Sequence, residues 1–118
     1  MEWDELVSWA GSTFPDTEES TSYGTPALKV KGKLVGRLRT DAEGALALRC
    51  SADDKVALVE GDDPAYFTTP HYDGYDYVLV HLHRADAAEL RELVTDAWLL
   101  VAPTRVRQSW TPPSERSS

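Results

Sequence analysis

Six cationic side chains, Lys29, Lys31, Lys33, Arg37, Arg39 and Arg49, crowd between residues 27 and 50, opposed there only by Asp41 and Glu43. The local balance is +4 in a chain of net charge -8, which leaves -12 for the remainder. Ammonium and guanidinium groups at this density suit anion binding, because phosphate or carboxylate oxygens accept their N–H donors, two at a time from arginine. Segregated charge steers an anionic partner to one side and repels it elsewhere, over roughly 10 Å at 0.1 M salt. The plainer account of the same residues is that a half-buried sheet needs polar outward positions, and Lys and Arg supply them.

A second group is aromatic. Tyr23, Tyr66, His71, Tyr72 and Tyr75 gather around two loops and form a candidate ligand pocket, with ordinary lid and core packing as the alternative. His81 and His83, with His71, are the residues that a three-imidazole metal site would need, but exposed histidines near a strand end explain them more simply, so no metal is expected. Cys50 continues an apolar series and reads as a buried thiol rather than a nucleophile. No glycine-rich phosphate loop, nucleophile elbow or paired-carboxylate spacing occurs. No catalytic residue, no cofactor and no enzymatic activity are therefore expected.

The elements that position these groups follow from periodicity. Leu28 and Val30, then Leu34, Gly36 and Leu38, then Leu46, Leu48 and Cys50 hold even positions, while Lys29, Arg37, Arg39 and Arg49 hold odd ones, so a period of two gives one buried and one wet face. Keeping Val30 and Leu34 on one face requires an odd-length connection, Lys31-Gly32-Lys33. In that register Lys29, Val35 and Arg49 line up, and Arg37 lies between Ala27 and Ala47. Strands are predicted over residues 26 to 31, 33 to 40 and 45 to 50, with a turn from Thr40 to Gly44.

Before them, Trp3, Leu6, Val7 and Ala10 predict a helix ending near Gly11, then a loop through Phe14 and Pro15. After them, Ser51 caps a short helix carrying Val56, Leu58 and Val59 and stopped by Gly61. A short strand at residues 65 to 68, a loop at 69 to 74 and a longer strand at 75 to 83 follow. Asp86 then caps a helix whose stripe is Leu90, Leu93, Val94, Ala97 and Val101, widened by Trp98 and ended by Pro103. The fold class is α+β: a two-layer domain in the order α-β-β-β-α-β-β-α, with an antiparallel sheet, helices on one face and the other face free. Residues 1–107 form a single domain, and 108–118 are a flexible, Ser- and Pro-rich tail.

At 118 residues the chain can bury a core without staples, and one cysteine excludes an internal disulfide framework. The amphipathic, acidic start MEWDELVSWAG lacks the pattern of a secretory signal, and no apolar run reaches the ~20 residues of a membrane span, so a soluble cytoplasmic protein without membrane contact is expected.

The segments SYGTPALKVKGKLVGRL, ALRC, AYFTTPHYDGYDYVLVHL and ADAAELRELVTDAWLLVAP make the chain similar to the MmcQ/YjbR-like family over residues 3 to 107. Gly24, Pro26, Lys29, Gly32 and Lys33 carry the most recognisable motif. The resemblance implies a CyaY-like or secretion-chaperone-like fold and DNA binding through a double-wing sheet, and it implies no reaction. Tyr77 and His81 stand where relatives commonly carry Trp and Arg, so a permanent charge becomes a titratable one. Two functions follow as expectations. One is weak, backbone-directed, non-specific DNA binding through Lys29, Lys31, Lys33, Arg37, Arg39 and Arg49. The other is a non-catalytic adaptor that uses the same face, with Ala27, Val35, Ala45 and Ala47, for an acidic protein partner, as a monomer or weak homodimer.

Overall fold

A computed structural model describes residues 1–39 and 45–112. The order is α1 (Trp3–Thr13), β1 (Thr17–Ser22), β2 (Thr25–Val30), β3 (Lys33–Leu38), β4 (Ala45–Arg49), α2 (Ala52–Glu60), β5 (Tyr66–Phe67), β6 (Tyr77–His81), α3 (Ala87–Val101) and α4 (Thr104–Ser109). The six strands form one sheet in the order β1-β2-β3-β4-β6-β5, every neighbouring pair antiparallel. The fold is the expected α+β class, with one strand and one short helix more than the periodicity showed. The expected turn from Thr40 to Gly44 lies outside the described residues.

Strand β1 has no apolar alternation to announce it. Four of the six residues in TEESTS are exposed, and the strand exists because the next hairpin pairs with it. Tyr23 and Gly24 make that two-residue turn, both at positive φ (52° and 78°). Lys31 and Gly32 repeat the device at 49° and 78°. Two successive left-handed residues match the twist of a tight hairpin, which is why glycine holds the second place in each.

This second turn overturns the expected odd-length connection. A two-residue turn alone would put Leu28 and Arg37 on one face. Parity is restored by a bulge: Leu28 faces Gly36 and Lys29 faces Leu34, so Val35 is the extra residue. Val35 is consequently fully buried in the main core, and Leu34, expected in that core, moves to the opposite face. Lys29 stands across from Leu34, not Val35.

Beyond the bulge the expected alternation holds. Leu28, Gly36, Leu48 and Val78 share one row, and Leu38, Leu46, Val80 and Tyr66 share the next on the same face. α1 packs on β1 and α3 crosses β3 and β4, so Leu6, Ala10, Leu90, Val94, Ala97 and Trp98 seal this side. α3 starts as expected, Asp86 accepting the Glu89 N–H at 2.9 Å. Ser51 caps α2 in the same way, accepting from Asp54 at 3.1 Å.

Trp98 anchors the core. Its ring stacks on Phe14 at 4.9 Å, Trp110 closes on both rings at 5.2 and 5.3 Å, and its Nε1 donates to Thr17 Oγ1 at 2.8 Å. Residues 108 to 110, expected in the tail, instead finish α4 and dock: Trp110 Nε1 donates to the Thr13 carbonyl at 2.8 Å. No helix among the described residues is long and apolar enough to cross a membrane.

Candidate functional site

The face away from the helices carries one row across five strands: Ala27, Arg37, Ala47, Leu79 and Phe67, in register from β2 to β5. Arg37 thus sits between two alanines as the alternation predicts. This face is not free. The segment from residue 68 to 76 folds over it, and Tyr72 buries itself on Ala47 and Leu79, with Phe67 and Tyr77 beside it. Between that segment and the first hairpin lies a cavity of about 540 Å³, lined by Tyr23, Leu34, Arg37, Ala47, His71, Tyr72, Tyr75 and Tyr77.

Arg37 is held at the base of this cavity. Its Nη2 donates to the Tyr72 hydroxyl at 2.9 Å and its Nη1 to Thr25 Oγ1 at 3.2 Å, with a longer contact to the Leu38 carbonyl at 3.5 Å. The guanidinium also lies 5.5 Å from the centroid of the Tyr23 ring. No carboxylate among the described residues pairs with it. Arg39, on the same face, lies over the Tyr72 ring at 5.5 Å.

The other expected cations differ from this pair in their acidic neighbours or in their face. Lys31 meets Asp16 at 3.7 Å, and Arg49 meets Asp76 at 3.7 Å while also donating to the Cys50 and Asp76 carbonyls. Lys29 has Glu18 directly opposite it in β1. Lys33 pairs with Val30 and therefore leaves the outer face for the helical side of the hairpin tip. Lys29, Arg37, Arg39 and Arg49 keep the outer face that alternation gives them, whereas the bulge turns Lys33 away, and Lys31 and Arg49 each meet a carboxylate.

Four of the five expected pocket aromatics do converge. Tyr66 does not: its register partner Val80 faces the helices, and Tyr66 follows it into the core. There burial, and after it the Glu89 carboxylate, hold its hydroxyl well above the usual tyrosine range. Tyr77 joins the cavity in its place. Burial raises its pKa too, with Arg49 pulling it back.

Lys55 was not legible as a site residue, yet it holds the segment that covers the cavity. Lys55 is 8% exposed, and its ammonium donates to the Tyr72 carbonyl, to that of Tyr75 at 2.6 Å and to that of Asp73 at 3.4 Å. Three backbone carbonyls converging on one cation fix the overlying segment. The signal was in the spacing: Lys55, Leu58 and Val59 share the inward stripe of α2, whereas Val56, expected there, is 54% exposed.

The histidines are dispersed. His81 stacks on Phe67 at 4.3 Å, His83 reaches Glu2 at 3.3 Å, and His71 packs edge-on to Tyr72 at 5.0 Å. Among the described residues no three His, Cys, Asp or Glu side chains gather as a metal site would need. Cys50 is buried, and burial pushes its thiol from 9.0 up to about 11.

A family model described as YjbR matches residues 12–100. An uncharacterized protein of Mycobacterium bovis and two of Mycobacterium tuberculosis are each 46% identical to the chain over 56 residues, which is 48% of this chain and 43% of theirs. The chain spans less than half the length of these relatives. No solved structure matches it.

Proposed function

The chain belongs to the YjbR family, and from that premise we propose that it binds nucleic acid weakly and without base specificity, at a small site centred on Arg37 rather than across a broad cationic face. The observation that supports this reading is the state of Arg37. It is a guanidinium with no carboxylate partner among the described residues, held at the base of a tyrosine-lined cavity in a chain of net charge -8. Cations that serve only solubility are readily matched by neighbours in so acidic a protein, as Lys31 and Arg49 are. Arg39 flanks the site, and the ring faces of Tyr23 and Tyr75 supply a sequence-tolerant surface for bases. The acidic remainder keeps affinity low.

The salt dependence tests the size of the site. Each phosphate contact on duplex contributes about -0.9 to the slope of log K against log salt, so six contacts would give about -5 and two or three about -2 to -3. Fluorescence anisotropy of a labelled 20-mer across a salt series should give the shallow slope, and R37E should abolish binding at low salt. Binding by R37E equal to that of the unchanged protein would remove the site.

A further inference from the structure

We infer that the cavity under the 68–76 segment takes a single nucleotide-sized group, one planar ring joined to one phosphate, with the phosphate on Arg37 and the ring against Tyr23 and Tyr75. The inference shares its face with the reading above but does not need a polymer, so the two can fail separately.

The phosphate end follows from the donors of Arg37. A guanidinium offers five N–H groups. The contacts at Thr25, Leu38 and Tyr72 occupy both Nη1 hydrogens and one on Nη2, leaving the Nε hydrogen and the other on Nη2 without a protein acceptor among the described residues. Two donors on one guanidinium suit the paired oxygens of an oxyanion. The bonds to Tyr72 and Thr25 also hold the group in place, so little freedom is lost when an anion arrives.

The ring end follows from exposed aromatics. Tyr23 is 91% exposed and Tyr75 is 59% exposed, so both ring faces at the cavity rim are open to a planar group. Tyr23 moreover occupies a left-handed position at φ 52°, where asparagine or glycine would sit without strain. A strained, solvent-exposed tyrosine beside an arginine without a carboxylate partner is a local conflict of the sort that binding sites retain. At about 540 Å³ the cavity falls in the ~300–1,000 Å³ range of small-ligand sites. Leu34, placed here by the bulge, and Ala47 give its floor an apolar surface.

Titration calorimetry with AMP, adenosine, ribose 5-phosphate and inorganic phosphate tests the two ends separately. AMP should bind at least tenfold more tightly than any of the other three, because each of those lacks the ring or the phosphate. R37Q should bring AMP down to the affinity of adenosine, and Y75A, which removes a side chain 59% exposed, should bring it down to that of ribose 5-phosphate. Equal affinity for AMP and inorganic phosphate, or no binding of AMP, overturns the inference. So does a Y75A protein that binds AMP as the unchanged protein does. A (dT)10 single strand that displaces AMP at a lower nucleotide concentration than free AMP itself requires identifies the group as one residue of a strand. Displacement only at a higher concentration identifies the free nucleotide. An oligonucleotide that binds without displacing AMP leaves the cavity assignment standing and moves polymer binding elsewhere.

Discussion

The two faces of the six-stranded sheet solve opposite problems. On the helical face, Leu28, Leu46, Leu48, Val78 and Val80 meet Leu90, Val94 and Trp98, and the indole N–H of Trp98 finds an acceptor in Thr17. On the other face the central row alternates alanine, arginine, alanine and leucine, and its cover is an irregular segment pinned by a lysine. The first face holds the protein together through burial. The second holds a cation and several rings in place around a cavity, an arrangement suited to recognition.

The sharpest way to break this comparison is to damage the helical face alone. Trp98→Ala should cost about 3–5 kcal/mol in urea unfolding, since the ring stacks with Phe14 and Trp110 and is fully buried. AMP affinity per folded molecule should not change. A parallel loss of AMP affinity would show that the faces are one unit.

Lys55→Met is the intermediate case. It keeps the length of the side chain but leaves the Tyr72, Asp73 and Tyr75 carbonyls without their donor. About 1–3 kcal/mol of stability should go, with AMP binding weakened although Lys55 lines no part of the cavity. Hydrogen exchange confined to residues 68–76 would show that the ammonium acts by holding that segment, whereas faster exchange throughout would show a general core defect.

The smallest effect has the opposite sign. Tyr23→Asn relieves the left-handed position and should raise stability by roughly 0.5–1 kcal/mol while weakening AMP. A destabilised Asn variant would mean that the Tyr23 ring over Arg37 contributes more than its backbone strain costs.

The chain was most readable where one force acted alone. α3 follows its stripe and its Asp86 cap because amphipathic spacing and capping agree, and the Ala27, Arg37 and Ala47 row follows from simple alternation. Reading failed where a local irregularity intervened. Alternation assumes an unbroken ladder, so it placed Val35 outside and Leu34 inside; one extra residue exchanged them and also removed Lys33 from the cationic face. β1 was invisible because a strand at the margin, polar on both sides, has no period to detect. Lys55 was passed over because a lysine on an inward stripe contradicts the ordinary rule, and only the three carbonyls of a distant segment reconcile it. Tyr66 misled because nearness in sequence to the loop aromatics says nothing of which side of β5 it leaves from.

The polar first strand also bears on how many molecules behave together. A strand from a second copy approaching β1 meets Glu18 and Glu19 and finds no continuous greasy row on which to align. At the far margin β5 offers only two residues to pair with. Fibre growth by edge-to-edge pairing of sheets is thereby discouraged at both limits of the ladder.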